Sequence, residues 1–400
     1  MLRVDLRTAR PGMSLALPVM NPKLPGHELL RVGYTLTPSV IEKLDDMRVR
    51  SVWVDYPALS FLDKFIDRDA VEKQSHVVTQ IQSTFELLQH QSAAKLPYDT
   101  YTDAIGALVD QLISNPGAAL FLGDMIEFDD DSSLMQSGST VTYLSLLLGL
   151  KLEGYLVKQR PHCEPTRARD VLSLGVGAML HDIGVTMLPP EVRTRYEQTG
   201  DERDPAWREH AALGFRAVRG RIEPTAANVV LHHHQQFDGN GYAGKDFPAQ
   251  AGTSIHIFAR IASVAEMFNR LRHPRSLVAP PTVQVLAALL SDQLAPRFDP
   301  NVLRALVDVV PPYPPGSMVT LTTGRKAVVI NPNVKNPCRP TVQLLPGDGL
   351  PDSEGSLGPS IDLSEQLADL AIIACNDQPT AAYNFSPDLL PGNSMAVNGW

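Results

Sequence analysis

The apolar positions of this chain change their period twice, and each change marks an expected change of architecture. Between Leu2 and about Arg68 the pattern is mixed. LLRVGYTLT reads as strand-like, Thr37-Pro38 supplies an N-cap and a first-turn proline for a helix over Ser39–Met47, and SVWVD alternates as a short strand. From Ala70 to about Val310 the apolar residues recur at helical spacing. Breaks fall at Asn115-Pro116-Gly117, at the acidic run Asp129–Asp131 and at the polar stretch Gln159–Asp170. Beyond Pro311-Pro312-Tyr313-Pro314-Pro315-Gly316 the period becomes two: SMVTLT, a turn at Gly324, KAVVIN and TVQLL read as a small antiparallel element. From Gly347 the chain is rich in Gly, Ser, Pro and Asn, apart from a helix candidate near Leu363–Ala374, and its last 20 or so residues are expected to be loosely held. The expected organisation is an α+β module over 1–68, a helical domain over 69–310, a β extension over 311–346 and a partly disordered segment over 347–400. The fold class is mainly α.

Composition narrows the partners. With 44% hydrophobic and 20% charged residues in 400, the chain is an ordinary globular one, and a formal charge of −9 disfavours bulk nucleic acid and anionic membrane as partners. Cys163, Cys338 and Cys375 are odd in number and far apart, so neither a disulfide framework nor a thiolate metal cluster is expected, and a cytoplasmic location fits. The most apolar segment, Val141–Val157, contains Lys151 and Glu153 and falls short of the roughly 20 residues that span a bilayer, so no membrane anchor is expected.

The histidines carry the candidate chemistry. In LHHHQQFDGNGY a helix over Thr225–His234 places His233 on an inward stripe with Ala226, Val229 and Val230, sets His234 beside that stripe, and turns His232 to solvent. In AWREHAALGFRAV, His210 shares a stripe with Trp207, Ala211, Gly214 and Val218, while Arg208, Glu209, Arg216 and Arg219 point outward. VLSLGVGAMLHDIG is nearly all apolar, hence a buried helix, ending in His181-Asp182 with Gly184 as a C-cap. Glu266 sits inside the apolar arc of Ile255, Phe258, Ala259, Ala262 and Ala265, where a carboxylate is costly without a partner. A single inward histidine is ordinarily a hydrogen-bonded core residue. Four of them with two inward carboxylates make an N/O ligand set suited to Fe, Mn or Zn, and such ions activate water for displacement at phosphorus.

HDIG followed by HH and DGxGY resembles the HD-GYP family, bacterial HD-superfamily phosphodiesterases that open cyclic di-GMP. The likeness extends over nearly the whole chain, with GMSLALPV and LLRVGYTLTPSVIEKL resembling a module that often precedes the catalytic domain and YPPGSMVTLTTGRKAVVINPN a β extension that often follows it. It implies an all-helical HD domain and a metal-ligand set of His181, Asp182, His210, His233, His234 and Glu266, with His181 and Asp182 as the catalytic pair and Asp238, Gly239, Gly241 and Tyr242 in the motif turn. It also implies one or two divalent transition ions, a basic substrate-contacting segment near Arg272 and Arg275, and cyclic di-GMP or a related dinucleotide as ligand. A diguanylate cyclase or other signalling protein and a second copy of the chain are further partners of this kind. The sequence departs from the family pattern at several positions. Ser133 and Ser137 stand where the family has Glu and His, Val185 where it has Lys, Gln235 where it has Glu, Ala243 where it has Pro, and Asn269 where it has Asp. Two functions follow as expectations: a metal-dependent cyclic di-GMP phosphodiesterase working through metal-activated water, or an inactive relative serving as a nucleotide sensor or interaction module.

Overall fold

A computed structural model describes residues 2–389 apart from 22–27, 48, 50, 66, 91–94, 116–132, 275–278 and 347–356. Most of the expected break at Asn115-Pro116-Gly117, the acidic run Asp129–Asp131, Arg275 and the last eleven residues lie outside the described residues.

The helical block forms as the periodicity requires. Its central element, the helix Leu172–Met179, has every residue from Leu174 to Met179 buried, as an all-apolar helix must. Around it pack the helices Tyr98–Ser114, Ser133–Lys151, Pro224–His232 and Ile257–Arg272. Proline opens the helices Pro165–Arg169, Pro190–Thr199, Pro205–Val218, Pro224–His232 and Pro300–Val309, where its missing N–H costs nothing. Asp204, Glu223 and Asp299 cap three of them by accepting backbone N–H groups. No helix among the described residues is by itself long and apolar enough to cross a membrane.

The N-terminal module pairs Leu2–Asp5 with Ser51–Val54 and Val19–Met20 with Glu28–Leu30, around a helix at Pro38–Asp46 capped by Thr37. The C-terminal sheet is larger than the pattern suggests. Its six antiparallel strands run in the order Gln378–Pro379, Ile372–Cys375, Met318–Leu321, Lys326–Asn331, Thr341–Leu344, Ser360–Asp362. It therefore draws strands from well beyond residue 346. The helix expected near Leu363–Ala374 is not formed: one 3-10 turn at Leu363–Glu365 is followed by the strand Ile372–Cys375, whose Cys375 and Ala374 find ladder partners in Val319 and Thr320. Tertiary pairing overrides the weak local helix propensity there. The Lys326–Asn331 strand is covered on both faces: Ala327 and Val329 join the helical core, whereas Val328 and Ile330 join the core of the N-terminal module. That explains its near-continuous apolar run.

Candidate functional site

The imidazoles and carboxylates converge where the ends of two helices meet the middles of two others. His181 and Asp182 follow the C-terminus of the buried Leu172–Met179 helix, before the 3-10 turn Ile183–Met187. His210 lies mid-way along Pro205–Val218, His233 caps the end of Pro224–His232 with His234 next to it, and Glu266 projects from Ile257–Arg272. Gly184 does not serve as the expected C-cap. A Cβ there would collide with the backbone of His210 and Gly214, so glycine lets the His210 helix lie directly against the Asp182 turn.

Three rings are locked in the same way. Nδ1 of His181, His210 and His233 meets the carbonyl oxygen three residues earlier, on Ala178, Trp207 and Val230, at 2.7, 2.7 and 2.9 Å. A carbonyl only accepts, so each Nδ1 carries the proton and each Nε2 turns a lone pair inward. Those lone pairs meet one another and a carboxylate. Asp182 Oδ2 is 3.3 Å from His181 Nε2, while its Oδ1 is 3.5 Å from His210 Nε2 and 3.7 Å from His233 Nε2. His210 Nε2 is also 3.4 Å from His233 Nε2 and 3.0 Å from His234 Nε2. A single N–H from His234 can relieve one of these contacts and leaves the others acceptor against acceptor. Glu266 Oε2 stands 3.7 Å from His234 Nδ1.

The electrostatics tell the same story. Burial, reinforced by neighbouring imidazoles, holds His234 well below its ordinary pKa; His233 is likewise depressed by burial, and His210 is pushed down to about 4 by burial against the opposing Asp182 charge. For His181 burial also works against the charged ring, but Asp182 outweighs it and raises the pKa. Burial pushes Asp182 upward, yet the His181, His233 and His210 contacts prevail and keep it well below the usual carboxylate range. Glu266 goes the other way, raised well above its usual value by burial and by the Asp182 charge.

A cation would resolve this arrangement. Asp182, His210, His233 and His234 each offer a ligand atom, all within 4.8 Å of one another, and His181 Nε2 is a buried atom without a hydrogen bond among the described residues. Three imidazole nitrogens and one carboxylate oxygen are a donor set for a divalent transition ion. Of the six residues expected as ligands, four therefore form the tightest group, His181 adjoins it through Asp182, and Glu266 adjoins it through His234.

Elsewhere the structure revises the sequence reading. His232, expected to face solvent, is buried, because the helices carrying His181, His210 and Glu266 enclose its helix on three sides. Arg208, expected to point outward, lies over the Tyr242 ring at 4.7 Å, and Tyr242 in turn stacks on His234 with centroids 4.6 Å apart. Arg272, implied as a substrate contact, is buried and donates to the Pro280 carbonyl at 2.9 Å, which braces the fold and leaves it poorly placed to meet an anion. In the motif turn, a Cβ on Gly241 would collide with the backbone of His234, Gln235 and Gln236, and Asp238 Oδ1 accepts from Asn240 N at 3.0 Å. Four of the departures are accommodated as neutral contacts, while the Ser133 side chain lies outside the described residues. Asn269 Nδ2 donates to Ser137 Oγ at 2.9 Å, Gln235 Oε1 accepts from Gln250 N at 2.9 Å, and Val185 packs in an apolar cluster with Leu188, Val192 and Trp207.

Comparison with known proteins agrees with this geometry. The HD domain family matches residues 162–302. The chain is similar to a cyclic di-GMP phosphodiesterase of Pseudomonas aeruginosa, 24% identical over 291 residues, or 71% of this chain and 64% of the relative. It is also similar to the cyclic di-GMP phosphodiesterase response regulator RpfG of Xanthomonas campestris pv. campestris, 28% identical over 141 residues, or 34% of this chain and 36% of the relative. A third similarity is to a 3'3'-cGAMP-specific phosphodiesterase 2 of Vibrio cholerae, 24% identical over 132 residues, or 32% and 24% of the two chains. The chain spans less than two thirds of the length of each of these relatives. With its HD turn, paired histidines and DGNGY segment around one buried donor set, the chain matches the HD domain family over residues 162–302 and is similar at low identity to cyclic di-GMP phosphodiesterases.

Proposed function

We propose that this protein is a metal-dependent phosphodiesterase acting on cyclic di-GMP or a closely related cyclic dinucleotide. The observation that carries the reading is the convergence of Asp182, His210, His233 and His234 on one point with their proton-bearing Nδ1 atoms, where fixed, turned away from it. Those four residues would hold an Fe, Mn or Zn ion, with His181 and Glu266 as further candidates on either side. When bound, such an ion makes water acidic enough to act as a nucleophile near neutral pH and withdraws charge from phosphoryl oxygens. The protein supplies the rest. The carbonyl locks hold the rings in one tautomer and orientation. Asp182 stays ionised to balance the cation, and Glu266, with its raised pKa, is placed to hold or release a proton beside His234. Tyr242 covers His234 and shields that side from water.

A second reading has its own observation. Apolar Val185 and the uncharged Ser137–Asn269 pair remove charge from the surroundings of the centre, which favours a relative that binds the dinucleotide without cleaving it. One experiment separates the two: bound Fe, Mn and Zn are quantified in tag-free protein, and cyclic di-GMP binding and cleavage are followed beside an Asp182→Ala control. Metal with turnover above the control supports the enzyme. Metal and nucleotide binding with turnover equal to the control supports the sensor, and absence of both metal and nucleotide overturns both readings.

A further inference from the structure

Beside the metal centre lies a charged group that the ligand set does not use. Arg270 stands one helical turn beyond Glu266 on the Ile257–Arg272 helix, so the two side chains share a face. Burial works against the charge of its guanidinium, Tyr196 and the Asp182 carboxylate favour that charge, and Arg297 opposes it. It is half-buried, donates to Met267 Sδ at 3.0 Å and pairs with the carboxylate of Glu202. Glu202 belongs to the short connection between the helices Pro190–Thr199 and Pro205–Val218. The backbone carbonyl of the same residue accepts from Arg208 Nε at 2.8 Å, and Arg208 lies over Tyr242, the ring that stacks on His234. Glu202 is thus bound by two arginines through two different oxygen groups, and one of them, Arg208, is separated from the candidate ligand His234 by a single aromatic ring.

Guanidinium groups held beside a metal centre of neutral imidazoles are matched to a phosphate, because their forked donors suit its oxygens as they suit a carboxylate. We propose that Arg208 and Arg270 form a phosphate-binding rim at the mouth of the metal centre, and that Glu202 occupies this rim in the substrate-free protein as an internal anion that a substrate phosphoryl group displaces. The inference rests on the reading of the centre as a phosphodiester site and deepens it. A substrate that carries two separated phosphoryl groups can place one at the metal and the other on the rim. A monoester can use only one of them at a time. Displacing the Glu202 carboxylate also costs its ion pair with Arg270, so the latch taxes weakly anionic ligands more than strongly anionic ones.

The test measures binding of inorganic phosphate to tag-free protein by calorimetry, with metal content and melting temperature recorded for every variant. Glu202→Gln keeps the shape of the latch without its charge and is expected to bind phosphate at least about fivefold tighter, since the competent rim no longer has to be vacated. Arg270→Ala is expected to bind about tenfold weaker, and Arg270→Lys to recover part of that loss, because a point charge replaces a fork. If Arg270→Ala fails to fold, the comparison of Glu202→Gln with wild type still decides. Phosphate affinity unchanged in Glu202→Gln at equal metal content overturns the proposal, as does wild-type affinity in a folded Arg270→Ala. Cyclic di-GMP is titrated in parallel. A phosphate response as expected, together with wild-type protein that neither binds nor cleaves the dinucleotide, leaves the rim standing and overturns the assigned substrate alone.

Discussion

Arg260 and Asp299 face each other inside the helical core at 2.5 Å, with Tyr155 donating to the same carboxylate at 2.9 Å and Gln159 accepting the second guanidinium nitrogen at 2.6 Å. Elsewhere in the same domain Asp182 faces three imidazoles, those of His181, His210 and His233, whose inward nitrogens are acceptors like itself. Both clusters are buried and both contain a carboxylate. In the first, donors meet acceptors and one nitrogen alone, Arg260 Nε, lacks a partner among the described residues. In the second, lone pairs point at lone pairs. Burial and charge alone do not distinguish a structural polar cluster from a functional one. The balance of donors and acceptors does, because an excess of buried acceptors calls for a proton or a metal ion from outside the chain.

The largest effect expected from this contrast is on stability. Asp299→Ala strands the Arg260 guanidinium in the core and is expected to destabilise the protein by about 3–5 kcal/mol, read from urea unfolding, with metal content per folded molecule unchanged. A loss below about 1 kcal/mol would show that the two clusters are not different in kind. Asp182→Ala should do the reverse. Removing an acceptor from a surplus of acceptors is expected to cost the metal-free protein less stability than Asp299→Ala does, while metal occupancy falls and cleavage drops by at least about 100-fold. Retained metal in that variant would contradict the assignment of the centre.

Acid provides a third lever. Burial, followed by the charges of Arg160 and Arg260, pushes His256 down to about 4, with Glu223 opposing and His232 adding to the effect. The folded ring therefore stays neutral while the unfolded one takes a proton below about 6.5, so its contribution to stability is full above that pH and declines as pH falls towards 4. At pH 5 the loss from this residue is on the order of 2 kcal/mol. His256→Asn, which keeps a side-chain oxygen to accept from the Phe258 amide, is expected to flatten the decline between pH 7 and pH 5 by that amount, read from urea midpoints. An unchanged slope would place the acid sensitivity in the imidazoles around Asp182 instead. The smallest effect belongs to Tyr155→Phe, which removes one donor from a cluster that keeps its salt bridge and is expected to cost about 1 kcal/mol in thermal or urea unfolding, without change in cleavage.

Much of the site is legible in the sequence. The apolar run before His181-Asp182 demands a buried helix, and a buried helix delivers whatever ends it into the interior. Helical phase likewise turned His210 and His233 inward. The same phase failed for His232, since three neighbouring helices cover the end of that element, and for Arg208, which reaches over an aromatic ring that only a later turn brings beneath it. Arg270 and Glu202 carry no sequence signal as a pair, because their contact crosses from one helix to the connection between two others.

The sequence by itself determined the kind of structure: period 3.6 through the central block, period two beyond the proline-rich joint, and which histidines and acids are too costly to bury unpartnered. These are local properties, set by side-chain spacing along a single element. Tertiary structure decided which of those residues share a point, which tautomer each imidazole adopts, and which strands complete the C-terminal sheet. Such outcomes depend on packing between distant segments, where a carbonyl three residues back or a glycine at a helix crossing fixes an angle that no pattern of hydrophobicity encodes.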